Sequence, residues 1–239
     1  MRASARVSVP VATTTTSKTS AQRAQSGAGK PGQDCPRCPR LVAFRLQWRE
    51  REPNWHNAPV PSFGPRDARL LIVGLAPGLQ GANRTGRPFT GDWAGDLLYD
   101  TLSEFGFSRG QYAERPDDGL TLVDCRITNG VRCVPPENKP TPAEINTCRD
   151  FLNPTIAEMP KLRAIVALGR VAHETTVVAL GAKRSAHDFK HGGRHALGGF
   201  SLFSSYHCSR YNTNTGVLTP KMFRAVFADV RAYLKSLER

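Results

Sequence analysis

The chain has 239 residues, 39% of them hydrophobic, with a net charge of +13 and a pI near 10.0. That length allows one full α/β domain with a real core, no apolar run approaches the ~20 residues of a membrane span, and six cysteines without a secretory signal do not suggest a disulfide framework. The expected setting is a soluble, cytoplasmic protein whose surplus positive charge calls for a polyanion.

Residues 1–33, through "VATTTTSKTSAQRAQSGAGKPGQ", are rich in Ser, Thr, Ala and Gly and hold five basic side chains and no acidic one. So little apolar surface cannot offset the entropy of ordering, and the segment reads as a disordered basic tail. The remaining 28 Lys and Arg still outnumber 20 Asp and Glu. The body, one domain over residues 34–239, is therefore basic in its own right and points to nucleic acid.

Three apolar runs read as buried strands entering or leaving helices. "ARLLIVGLAPG" (68–78) opens a glycine-rich loop from Gly74 to Asp96, after which Leu97-Leu98-Tyr99 looks like the first turns of a helix. "LTLVDCRITNGVRC" (120–133) is the second run. In "LRAIVALGRVAHETTVVAL" (162–180), the β-rich stretch Ala164–Leu168 meets Gly169 and a helical pattern begins at once. A fourth strand is expected at "FSLFSSYH" (200–207). "TPKMFRAVFADVRAYLKSLE" (219–238) spaces its apolar residues at 3.6 behind a Thr-Pro start, the mark of an amphipathic helix.

This alternation predicts an α/β fold: a single-domain α/β/α sandwich around a central, mostly parallel, four-stranded sheet. Ligands of such sheets bind beyond the carboxyl ends of the strands. There the loops after Gly74 and Asn129 would converge with His207. The Gly74–Asp96 loop has the strand–loop–helix layout of phosphate sites but neither G-x-G-x-x-G nor G-x-x-x-x-G-K-[ST] spacing, which counts against a nucleotide-binding enzyme.

Cys35 and Cys38 form a C-x-x-C knuckle, each followed by Pro; Cys133 and Cys148 lie far downstream. A zinc ribbon would pair two knuckles, and the second half here is not one. One knuckle with two dispersed thiolates suits a four-cysteine iron–sulfur cluster as well, and spacing alone leaves cluster, zinc and incidental thiols open. Cys125 lies in an apolar strand and reads as a small core residue; Cys208 has no assigned role.

The segments "GLAPGLQGANRTGRPFTGDWAG", "TNGVRCVPP" and "HCSRYNTNTG" occur in that order. They resemble the three signature motifs of the uracil-DNA glycosylase superfamily, specifically its iron–sulfur family-five branch, and the resemblance runs from about Asp34 to the C-terminus. It implies a repair enzyme that flips uracil, and other deaminated bases such as hypoxanthine, out of DNA and hydrolyses the N-glycosidic bond. With no lysine nucleophile in the motifs, the product would be an abasic site and the strand would stay uncut. The protein would work as an intracellular, nucleoid-associated monomer.

By the same resemblance Cys35, Cys38, Cys133 and Cys148 ligate a 4Fe–4S cluster. Phe89 stacks on the extruded pyrimidine, and Asp92 is the carboxylate that assists water or steadies the sugar cation, a position where Asp also suits a helix N-cap. Asn129, able to donate and accept, contacts the base's imide edge, and His207 stands at the departing base's oxygen. Gly74, Ala76 and Gly78 belong to the backbone wall of the pocket. Arg84 and Arg87, with Asn83, brace the loop or meet DNA, and Ser209, Arg210, Tyr211 and Asn212 enter the groove and touch phosphates.

Two departures stand out. Leu75 and Ala76 fill positions where many relatives carry a polar water-activating residue, which passes that work to Asp92. Cys208 replaces a usual Pro between His207 and Ser209. No basic, His-containing insert follows the second motif, so covalent trapping on abasic DNA is not expected. The alternative from a different class is a non-catalytic nucleic-acid-binding module with a structural cluster.

Overall fold

The computed structural model describes residues 29–238; the expected disordered tail thus falls, over residues 1–28, outside the described residues. In chain order the elements are α1 (Pro39–Arg51), β1 (Leu70–Gly74), the single turn α2 (Ala82–Thr85), α3 (Trp93–Glu104), β2 (Ser108–Arg109), β3 (Thr121–Leu122) and β4 (Cys125–Asn129). There follow α4 (Pro142–Ala157), β5 (Ala164–Leu168), α5 (Arg170–Ala179), β6 (Arg194–Leu197), β7 (Phe200–Ser205), the short α6 (Arg210–Asn214) and α7 (Pro220–Ser236). Among these residues no helix is long and apolar enough to cross a membrane.

The central sheet runs β4-β1-β5-β7-β6. The first four strands are parallel, with Gly74 opposite Asn129 and Leu168 opposite Ser205, and β6 pairs antiparallel with β7. Five strands, not four, therefore form the sheet. The strand missed in the sequence is β6, "RHAL", whose polar, half-exposed residues show no strand alternation. Its hairpin signal was the Gly198-Gly199 pair, both at positive φ as a two-residue turn requires. The second apolar run also divides: β3 joins β2 in a small ribbon, and β4 begins after Asp124, which sits at φ 52° with its carboxylate accepting from the backbone and side chain of Arg69.

The parallel strands are buried on both faces, so apolar residues run without alternation but sort by parity. Leu70 and Ile72 face the core shared with α3 and α7, including Leu98, Tyr99, Phe223 and Phe227. Leu71 and Val73 face the opposite core, with Leu152, Ile156 and Val177 of α4 and α5. Helices thus cover both faces. Helix α7 starts where its Thr-Pro signal predicts, the Thr219 hydroxyl accepting from the Met222 amide at 3.2 Å, and buries Phe223, Val226, Phe227, Val230 and Leu234 as one stripe. Helix α4 opens with a capping box between Thr141 and Glu144, worth about 1 kcal/mol. This scaffold sets the ends of β1, β4 and β7 along one edge.

Candidate active site

A cavity of about 400 Å³ opens at that edge, within the size range of ligand pockets. Its walls come from Leu75–Gly78, Phe89, Asp92, Asn129 and His207, and its more exposed members are Trp93, Asn138, Ser209 and Arg210. Residues far apart in the chain, such as Ala76, Asn129 and His207, meet here because β1, β4 and β7 end along the same edge of the sheet.

Asn129 ends β4, is 3% exposed, and its amide oxygen is buried with no protein partner. Opposite it, Gly74 ends β1. A Cβ at Gly74 would stand 2.7 Å from the Phe89 ring and overlap the Asn129 amide oxygen. Gly74 therefore supports the wall from behind rather than lining the cavity, while Ala76 and Gly78 do line it.

Phe89 is buried yet holds φ at 52°, a left-handed conformation that a bulky residue adopts only when its surroundings enforce it. The enforcement is visible. Tyr99 donates to the Pro88 carbonyl at 2.6 Å, Tyr112 donates to the Phe89 carbonyl at 3.3 Å, and the Gly91 amide donates to the Tyr112 hydroxyl at 3.2 Å. Gly95 of α3 leaves room for the Phe89 carbonyl, which any Cβ there would overlap. The strained turn aims the Phe89 ring at the His207 ring, 5.9 Å away at 27°.

Asp92 stands at the N-cap of α3, but its side chain makes no capping bond. One carboxylate oxygen is buried without a partner. Burial raises its pKa above the usual range, against the pull of the Gly95 and Ala94 amides at the helix start. Asp96, one turn on, is exposed. His207 follows β7, and burial pushes its pKa down to about 4, so the imidazole is neutral at pH 7 and presents one N–H donor. Its carbonyl accepts from the Asn212 amide at 2.8 Å. Cys208, fully buried, donates its thiol to the Ala94 carbonyl at 3.4 Å and so hooks the His207 loop onto the first turn of α3.

The basic residues expected on the nucleic-acid side divide. Arg87 does not belong there: it is 5% exposed, binds Asp118 through two nitrogens at 2.8 and 2.6 Å, and donates its Nε to Thr90. Its guanidinium also lies 5.3–5.8 Å from the rings of Phe63, Tyr99 and Tyr112. Arg87 braces the loop from inside. Asn83 does likewise, donating to Asn57 at 2.8 Å in a buried pair. Arg84, Arg210 and Tyr211 are exposed. Ser209 caps α6 by accepting from the Asn212 amide, and the Asn212 side chain is committed to the His207 carbonyl. No local pattern marks Tyr99, Tyr112 or Asp118 as supports, since each lies 11 to 31 residues from the group it holds.

The four cysteines Cys35, Cys38, Cys133 and Cys148 line one small apolar cavity between α1 and the start of α4, beside Leu41, Val131 and Phe151. Burial raises the Cys133 thiol to about 12 and the Cys148 thiol to about 11. Among the described residues no group of three or more His, Cys, Asp or Glu is arranged to hold a single metal ion. Two arginines stand against the four thiols. Arg45 is 3% exposed, approaches the Cys133 sulfur at 3.8 Å and leaves its Nε without a partner; the Arg132 amide donates to the Cys148 sulfur at 3.2 Å, and that side chain too has an unpartnered Nε. Among the described residues neither arginine pairs with a carboxylate; the hydrogen bonds of their guanidiniums go to hydroxyls, carbonyls and sulfur. Cys125 and Cys208 are buried elsewhere in the core.

The family model described as the uracil DNA glycosylase superfamily matches residues 61–231. A Type-5 uracil-DNA glycosylase of Thermus thermophilus is 47% identical over 204 residues, covering 82% of this chain and 92% of that protein. A Type-5 uracil-DNA glycosylase of Pyrobaculum aerophilum is 41% identical over 190 residues, 78% and 83% of the two chains. One of Mycobacterium tuberculosis is 42% identical over 211 residues, 82% and 77%.

Proposed function

The chain belongs to the uracil-DNA glycosylase superfamily, and on that footing we propose that it removes uracil from DNA by hydrolysing the N-glycosidic bond, with the cavity between Phe89, Asp92, Asn129 and His207 as its active site. One observation carries the assignment of the site. Asp92 and Asn129, lining the same cavity, each keep a buried oxygen that no protein group satisfies. Unsatisfied buried oxygens cost about 1–3 kcal/mol each, and a substrate that supplies their partners gives them a reason to persist.

The chemistry follows from those groups. Breaking the bond builds positive charge on the deoxyribose and negative charge on the departing base. The extruded base lies against Phe89, whose enforced backbone holds the ring in place before binding. The Asn129 amide meets the imide edge. Neutral His207 donates its N–H to the base carbonyl as that oxygen gains charge, without a fixed cation that would bind the ground state equally well. Asp92, as its carboxylate, faces the sugar, where it orients the attacking water and steadies the cationic carbon. Among the described residues no lysine lines the pocket, so water rather than an amine completes the reaction: its oxygen bonds to the sugar carbon, the base leaves with the bonding pair and takes up a proton, and an abasic site remains. The largely apolar wall limits competing water. A cavity of about 400 Å³ also accommodates a bicyclic base, which supports hypoxanthine as a second substrate.

We further infer a 4Fe–4S cluster on Cys35, Cys38, Cys133 and Cys148. The fit rests on charge: four thiols share a cavity with Arg45 and Arg132, two buried arginines that have no carboxylate partner among the described residues, and an anionic cluster with four thiolates is the counter-charge they require. Such a cluster would supply a covalent tie between α1 and the Cys133–Cys148 region; the hydrolysis uses none of its redox chemistry.

The test is base release from labelled duplexes containing uracil, hypoxanthine or no lesion, with wild type and Asp92→Asn side by side. Abasic sites at uracil from wild type, reduced about 100-fold or more in the variant, are expected. Duplex binding without base release by either protein would overturn the enzyme reading, and a fully active Asp92→Asn would move the carboxylate's role elsewhere.

A further inference from the structure

Trp93 follows Asp92 directly, lines the active-site cavity and is 49% exposed. An indole left half in water is ordinary if it is loose. This one is fixed. Its Nε1 donates to the Thr213 hydroxyl at 3.0 Å, and that hydroxyl shares its one proton between the carbonyls of Ser209 and Arg210 at the start of α6. The Arg210 guanidinium lies 5.6 Å from the indole centre. A large flat apolar surface is thus held in one orientation at the cavity's edge, with the Arg210 cation over one face and the exposed Tyr211 next in the chain.

We propose that Trp93 is a stacking platform for DNA, receiving the base of a nucleotide adjacent to the extruded one while Arg210 meets the neighbouring phosphate. This rests on the cavity being the site of base release. Every base has a π-face, so stacking tolerates any flanking sequence, as a repair enzyme requires. A side chain already ordered by its own hydrogen bond loses little freedom when a base settles on it. Extrusion also unstacks the neighbour of the departing base, and an indole at the pocket edge replaces the lost contact.

The experiment is a fluorescence titration with a duplex carrying a stable tetrahydrofuran abasic analogue, which needs no turnover and so does not depend on the role of Asp92. The chain has three tryptophans, and Trp48 and Trp55 stack on each other at 5.5 Å, away from the cavity lining. Wild type is expected to lose part of its emission on binding, and Trp93→Phe to lack that component. Trp93→Leu should weaken binding about tenfold or more and raise KM more than it lowers kcat. Trp93→Phe should retain most of the affinity, because it keeps an aromatic face. Thr213→Val, which removes only the anchoring hydroxyl, separates the platform from a structural strut: a loss equal to that of Trp93→Leu, with no rescue by Phe, overturns the proposal. So does quenching that persists in Trp93→Phe, or Trp93→Leu binding as tightly as wild type. Failure of the proposed function would register separately, as duplex binding without release of uracil by the wild type.

Discussion

No side chain fits between Gly81 and the Asp92 carboxylate: a Cβ on Gly81 would overlap the carboxylate, and one on Gly78 would stand 2.8 Å from the same oxygen. Gly81 has φ at −92° and ψ at −111°, outside the α and β regions open to residues with a side chain, so the position demands glycine for its backbone as well as for space. Gly81→Ala should therefore both strain the turn and displace Asp92. An activity loss of about 100-fold, approaching that of Asp92→Asn, is expected from single-turnover base release. A Tm within a few degrees of wild type would show that the loss arises at the site and not through unfolding.

Asp92 weakens the fold that it serves. Its folded-state pKa is raised by burial, so the folded protein holds that proton to higher pH than the unfolded chain does. Stability consequently falls as pH rises from about 3.9, the unfolded value, through the raised folded value, and stays reduced above it. Asp92→Asn should stabilise the protein at pH 7 by about 1–3 kcal/mol, and the advantage should vanish below pH ~4. Denaturant unfolding of both proteins across pH 3.5–8 measures the difference. A less stable variant at pH 7 would contradict the burial account.

Arg87 and Arg210 should respond oppositely to the same substitution. Arg87→Ala leaves the Asp118 carboxylate, 1% exposed, without its partner, which is expected to cost about 3–5 kcal/mol. The Arg87 guanidinium holds the Asp118 carboxyl well below its ordinary range; the pair's contribution is thus present above the unfolded pKa of about 4 and is lost as pH falls through the folded value. The salt dependence of DNA binding should be unchanged in a folded Arg87→Lys protein. Arg210→Ala, by contrast, should keep the Tm and reduce the slope of log affinity against log salt by about 1.

Protein prepared without oxygen should carry about four iron atoms and the brown colour of a 4Fe–4S cluster, and Cys148→Ser should lose both. Since the tie joins α1 to the rest of the domain, chelation of the iron should lower Tm. Arg45→Met tests the charge argument directly. With its cation gone, the cluster should become easier to lose and its reduction potential should fall, because a buried positive neighbour favours the more negative, reduced state.

Much of this protein is legible without coordinates. Leu70–Gly74, Ala164–Leu168 and Phe200–Ser205 declare themselves as strands because burial on both faces leaves only apolar and small residues possible there. The helix after Pro220 shows its buried stripe in the spacing of Phe223, Val226, Phe227 and Val230. The four cysteines and the glycine-rich loop are likewise visible as residue types that only special chemistry or close approach demands. The strand at Arg194–Leu197 is not, because an edge strand half in water carries no apolar pattern.

What the tertiary structure alone decided is the surroundings of each polar group. Arg84 and Arg87 look alike in the chain, yet one is solvated and the other is enclosed by Asp118 and three aromatic rings. Asn83 and Asn129 look alike too, yet one is hydrogen-bonded to Asn57 and the other keeps a free buried oxygen. Local sequence determines where a chain can form strands and helices, since those depend on neighbours a few residues away. Desolvation and hydrogen-bond satisfaction depend on partners tens of residues distant, and they exist only once the sheet has brought the ends of its strands together.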